Sequence, residues 1–129
     1  MDLQPIHDAP TSFVKKYLFT TDHKVIAKQF LWAGLLFLAF GGGLAMLIRW
    51  QWAFPNQPVP VFGSLFLNDS GGVITPAVYN QLFTNHGLIM VFWAITPLLI
   101  GAFGNLTIPL MIGARDMAFP LLNLLSFWV

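Results

Sequence analysis

Phe30–Ile48, FLWAGLLFLAFGGGLAMLI, contains no charged residue, and this stretch decides the fold class. At about 1.5 Å of rise per residue, some 20 residues of helix cross a hydrocarbon core of about 30 Å. Lys15, Lys16, Lys24 and Lys28 cluster ahead of it, and the apolar run begins near Gln29. A cleavable leader has an apolar stretch of only about 7 to 15 residues followed by a small-residue cleavage site. The longer, later run is therefore expected to stay in place as transmembrane helix I over 29–52, after a polar segment over 1–28.

Working outward, Pro55, Pro58, Pro60 and Pro76 with Gly63, Gly71 and Gly72 break the helical pattern, which predicts an extramembrane loop over 53–80. A second uncharged stretch, Leu82–Ile112, is longer than one bilayer crossing requires, so helix II over 81–112 is expected to tilt or to extend beyond the lipid. Gly113-Ala114-Arg115-Asp116 opens a polar turn over 113–119, and a third apolar run, helix III from 120, is still uncharged at Val129. The expectation is an all-α membrane protein with two complete transmembrane helices and the start of a third, cut short at Val129. The four lysines and Arg115 flank one side, whereas the central loop carries only Asp69. Positive residues stay on the cytoplasmic side. The N-terminus and the Arg115-Asp116 turn are thus expected inside, the proline-rich loop outside.

Composition narrows the function. The chain is 57% hydrophobic and 9% charged, where soluble domains average roughly 25% charged. A net charge of +1 offers no clustered basic face for nucleic acid. Without cysteine there is no disulfide, iron–sulfur cluster or thiolate zinc site, so a metal must be held by histidine or oxygen. The histidines are His7, His23 and His86.

His86, in Thr84-Asn85-His86-Gly87 near the outer end of helix II, is a titratable group at membrane depth. Such groups are costly and are functional candidates by default. Its imidazole suits a metal or heme iron, or alternatively a hydrogen bond to another helix. Arg49 ends helix I at the same expected depth; it suits a carboxylate or carbonyl such as a porphyrin substituent, or it is an interfacial arginine snorkelling to water. Asn105 lies 19 residues after His86, about 28 Å along an α-helix, where its amide suits a water chain or a helix–helix bond. Asp116 can collect protons from water with Asn123 behind it, or it is a solvated turn residue beside Arg115. Gly41-Gly42-Gly43 allows a helix or a flat cofactor close to the backbone. Met90 and Trp93 share an α-helical face with His86 and could wall a heme or simply pack.

In this order, Thr20-Thr21-Asp22-His23-Lys24, Leu47-Ile48-Arg49, Thr84-Asn85-His86-Gly87, Gly101-Ala102-Phe103-Gly104-Asn105 and Pro109-Leu110-Met111-Ile112-Gly113-Ala114-Arg115-Asp116 resemble subunit I of the heme-copper oxidase superfamily. So does Asn123-Leu124-Leu125-Ser126-Phe127-Trp128, and the likeness covers nearly everything after Tyr17. The resemblance implies part of a twelve-helix-type subunit in a bacterial inner membrane. It implies that His86 is an axial ligand of a low-spin heme, heme a, with Arg49 beside that heme's periphery, and that Asp116, Asn105 and Asn123 form the mouth of a proton channel. It further implies a high-spin heme and copper in the full subunit, whose ligands are not in this chain, and O2 as substrate, reduced to water with proton pumping. Subunits II and III are the implied partners, with cytochrome c donating through subunit II.

Two departures bear on the donor and on a cation. Gly-Ala-Arg-Asp at 113–116 occurs in some quinol-oxidising members, but the arginine and aspartate such members carry before the helix I arginine are here Phe40 and Leu44, which favours cytochrome c. An acidic residue common soon after Arg49 is replaced by Trp50-Gln51, against a cation site there. The alternatives are a quinol oxidase subunit and a heme-free assembly or interaction piece.

Overall fold

A computed structural model describes residues 12–67, 70–115 and 117–129, apart from the side chains of Lys15 and Phe66. Among the described residues the regular structure is entirely helical. Two helices have the length and apolarity to cross a membrane, His23–Ala53 with a mean hydropathy of 2.1 and Pro76–Met111 with 2.0.

A short helix α1, Phe13–Tyr17, precedes the long α2, His23–Ala53. The start of α2 is set by Asp22: its Oδ1 accepts the Lys24 N–H at 2.9 Å, and its carbonyl accepts those of Val25 and Ile26. A carboxylate here satisfies donors that have no partner inside the helix and opposes the helix dipole. The helix consequently begins ahead of the uncharged run, and Lys24 and Lys28 ride on it.

Beyond Ala53 the chain turns through Asn56, whose φ is +60°. The loop has its own small core: Val59 and Ile74 are buried, and the Val59 N–H donates to the Gly72 carbonyl at 2.9 Å. The proline and glycine pattern predicts no helix here, yet Phe62–Phe66 forms one, α3. It fits in the gap between Pro60 and Gly71-Gly72, where no proline removes a donor.

Helix α4, Pro76–Leu88, starts with Thr75 as cap, its hydroxyl accepting the Val78 N–H at 3.4 Å, and with proline in its first turn, where no N–H is needed. It continues without a break through two π-wound stretches, Ile89–Ile95 and Pro97–Gly104, into α5, Asn105–Met111. Pro97 has no N–H to give, and just before it the Val91 carbonyl accepts both the N–H of Thr96 and its hydroxyl, the latter at 2.7 Å. The wider winding places more residues in each turn, so the rise per residue here is below that of an α-helix. Gly113, at φ +68°, ends α5: its N–H meets the Leu110 carbonyl and that of Ala114 the Pro109 carbonyl, the Schellman pattern. Helix α6, Pro120–Trp128, again has proline in its first turn.

The chain divides into two compact units, residues to Phe30 with Ile100–Val129, and Leu31–Leu99. In the first, Ile26, Ala27 and Ala102 are buried, Phe30 meets Phe127 edge to face at 5.0 Å, and Trp128 stacks on Phe19. The indole of Trp128 and the amide of Gln29 both donate to the Leu18 carbonyl beyond the end of α1. In the second, α2 approaches the π-wound stretch at Gly34, where an added Cβ would come within 2.7 Å of Leu98. Many large apolar side chains, among them Trp32, Leu36, Ile100 and Met111, face outward, as in a bundle meeting lipid or further helices.

Candidate heme-ligand and proton-uptake sites

On α4, Tyr79, Phe83 and His86 follow one another at spacings of four and three, one face of the helix. Phe83 and His86, with Ala45, Met46, Ile48, Arg49 and Trp52 of α2, line an open cavity of about 520 Å³, within the roughly 300–1,000 Å³ of cofactor-sized sites. Arg49 and His86, which depth alone pairs in the sequence, thus share one cavity.

The orientation of His86 follows from one contact. Its Nδ1 lies 2.9 Å from the carbonyl oxygen of Gly41. A carbonyl only accepts, so Nδ1 carries the hydrogen and donates, and in the neutral ring Nε2 is the nitrogen with the lone pair. This is the arrangement of a metal-ligating imidazole whose second nitrogen is fixed by a backbone acceptor. Glycine at position 41 allows it: a Cβ there would sit 2.8 Å from Sδ of Met90 and 3.3 Å from Cγ2 of Ile89, so the Met90 side chain would have to move.

The surroundings fit a flat, largely apolar group. A Cβ added at Gly42, Gly43 or Gly87 would meet nothing within 4 Å, so open room lies beside the ligand helix and along α2. Arg49 is exposed and pairs with no described residue, a guanidinium free for an acidic or carbonyl substituent. Trp52 donates its indole N–H to the Tyr79 hydroxyl oxygen at 2.9 Å, tying the rim of the cavity. Of the two residues that share an α-helical face with His86, Met90 packs on Gly41 and Trp93 on Phe37 at 5.2 Å. Among the described residues no three His, Cys, Asp or Glu side chains gather.

The other candidates lie in the unit containing α5 and α6. Asn105, in the first turn of α5, is 6% exposed. Asn123 is half-buried in α6, and its Nδ2 is buried without a hydrogen-bond partner. Asp116 lies outside the described residues, as does His7. His23 is buried, with Nδ1 3.9 Å from the Asp22 carboxylate.

Several contributors were not visible to sequence reasoning. The glycine triplet signals close approach, but not that the Gly41 carbonyl would be the acceptor. Trp52 and Tyr79 are 27 residues apart and belong to no motif. Gln29, just before the uncharged run, donates to the Tyr17 and Leu18 carbonyls, and its Oε1 is buried without a partner.

Two membrane-length apolar helices, with a backbone-fixed imidazole opening on a cofactor-sized cavity, describe an integral membrane protein with room for a flat group beside His86. Residues 25–129 match the family described as "Cytochrome C and Quinol oxidase polypeptide I", and the chain belongs to that family of multi-span membrane subunits. It is similar to "Cytochrome c oxidase subunit 1" of Thermostichus vulcanus, 42% identical over 125 residues, 97% of this chain and 20% of that protein. The protein of the same description from Bacillus sp. (strain PS3) is 44% identical over 113 residues, 88% of this chain and 16% of that one. That from Tetrahymena pyriformis is 37% identical over 124 residues, 96% of this chain and 16% of that one. The chain spans a fifth or less of the length of these relatives.

Proposed function

We propose that this chain supplies one face of a low-spin heme site and the mouth of a proton-uptake path in the catalytic subunit of a proton-pumping terminal oxidase. The observation that carries the reading is the His86 imidazole, held through Nδ1 by the Gly41 carbonyl at 2.9 Å with Nε2 left to ligate. A heme bound there supplies one-electron transfer. His86 would offer Nε2 to the iron with its tautomer already fixed, Arg49 would meet an oxygen substituent, and Met46, Ile48 and Phe83 would lie against the ring and shield it. Desolvation of this kind and the charge near the group are what a protein uses to set a redox potential.

The second half of the reading is proton supply. Asp116 accepts protons from the cytoplasmic side, and Asn105 and Asn123 orient waters behind it. Its support is the burial of Asn105 and the buried, unpartnered Nδ2 of Asn123. A buried amide donor without a protein acceptor calls for water. The copper, the high-spin heme and the second axial ligand belong to parts of the subunit outside this chain, and subunits II and III complete the complex. Cytochrome c is the donor: Phe40 and Leu44 stand where quinol-oxidising members carry charge, and the relatives are described as cytochrome c oxidases.

The test is His86→Ala in the full-length subunit assembled with its partners. The low-spin heme absorbance is expected to vanish while the polypeptide still inserts into the membrane. An unchanged low-spin spectrum would remove the assignment.

A further inference from the structure

Gly101 has no side chain for a reason found across the unit from it. A Cβ at this position would lie 2.5 Å from Cγ and Cδ1 of Phe30, so the ring is seated directly on the glycine backbone. The same ring meets Phe127 at 5.0 Å with the planes at 90°, the edge-to-face geometry that aromatic pairs prefer. Phe30, Gly101 and Phe127 therefore form one continuous apolar layer joining α2, the π-wound stretch before α5, and α6.

The position of that layer gives it a consequence. Counted away from the turn that joins α5 to α6, Asn105 comes first on one helix and Gly101 four residues later, about one turn. On the other helix Asn123 comes first and Phe127 four residues later. The amides thus form one layer, and the rings the next. On the near side Asn123 Nδ2 is buried and without a protein acceptor, a donor that water would satisfy. The two rings themselves offer water no polar group, and narrow apolar constrictions in membrane proteins close by dewetting.

We propose that Phe30 and Phe127, seated on Gly101, are an apolar gate in the proton-uptake path: water ordered at Asn123 ends at the rings, and a proton passes only when that layer wets. This rests on the reading of Asp116, Asn105 and Asn123 as the path itself. The two phenylalanines are positioning residues that control where water stands and exchange no proton.

The experiment uses the full-length subunit in the assembled oxidase, with the proton-uptake phase followed by stopped-flow with a pH dye. The variants are Phe30→Tyr and Phe127→Tyr, which keep the ring and add one hydroxyl, and Phe127→Ser, which opens the layer. Low-spin heme absorbance reports assembly of each. The gate predicts uptake at least threefold faster in every assembled variant; packing damage alone slows uptake, so an increase separates the two. Rates within twofold of wild type, or lower, overturn the gate. Asp116→Asn in the same assay separates it from the reading beneath. If that variant slows uptake while the aromatic variants do nothing, the gate falls and the path stands; if Asp116→Asn changes nothing, both fall.

Discussion

The surroundings of His86 and those of Asn123 treat a buried polar side chain in opposite ways. At His86 the nitrogen that does not face the cavity is already satisfied by the Gly41 carbonyl, which leaves one ring position to ligate and one tautomer to do it with. At Asn123 the amide nitrogen is buried with no partner at all, and leaving such a donor unmet costs about 1–3 kcal/mol. A ligand gains from being fixed before its metal arrives, because no reorganisation is left to be done on binding. A water chain gains from a donor that the protein leaves unmet. The two regions differ as the proposed metal ligand and the proposed water-holding amide should.

The comparison breaks first at its most costly points. Asp116→Asn is expected to slow proton uptake by roughly tenfold or more, since a positioned acid–base group contributes about 10²–10⁴ in rate. The hemes should stay in place, as read by their absorbance. Uptake at the wild-type rate would leave Asn123 without a chain to serve.

Gly41→Ala attacks the other region. The new methyl group meets Met90 and Ile89, and overpacking of this kind costs about 1–3 kcal/mol. Displacing the Met90 side chain disturbs the packing around the His86–Gly41 bond, so the low-spin heme band should shift or weaken. An unmoved band would mean that the Gly41 contact does not set the imidazole.

Asn123→Leu sharpens the contrast in a different currency. If the amide is dry, losing an unmet donor stabilises the protein or leaves it neutral, with uptake unchanged. The water-holding role predicts slowed uptake with a stability change of only about 1 kcal/mol, because leucine expels water that the donor was holding. Thermal unfolding and the uptake rate, measured on one preparation, distinguish the two.

How much of this was legible in the sequence follows from what kind of information each feature uses. The apolar runs and the Gly113 stop depend on local residue types, and they can be read directly, whereas the helix start at Pro76 falls within 53–80, where the prolines and glycines predict a loop. The π winding of 89–104 cannot: a stretch apolar on every side has no polar face whose period would reveal a change of turn. Helix α3 hides between prolines that announce a loop. His86 and Arg49 stand out because charge and imidazole are rare at membrane depth, but their sharing of one cavity depends on how two helices cross. The acceptor for His86 is a backbone carbonyl, which every residue possesses, so no residue type marks it. Gly101 and Phe30 lie 71 positions apart, and only the packing says which small residue meets which ring.

The smallest effect is expected at Trp52, and it tests how far the preorganisation of the His86 region extends. Its indole N–H donates to the Tyr79 hydroxyl, one helical turn beyond Phe83 on the face that carries His86. Hydrogen bonds between membrane helices average only about 0.6 kcal/mol, because the separated groups find other partners in the membrane. Trp52→Phe keeps an aromatic wall for the cavity and removes that single bond, so thermal stability should fall by no more than about 1 kcal/mol. Tyr79→Phe removes the same bond from the other side, and the double variant should cost no more than either single one, since the second change has nothing left to break. Additive losses would mean that each side chain acts through its own contacts and that the rim is not one unit. Should the singles also leave the low-spin heme band unmoved, the fixing of His86 ends at Gly41, and the outer rim contributes shape alone.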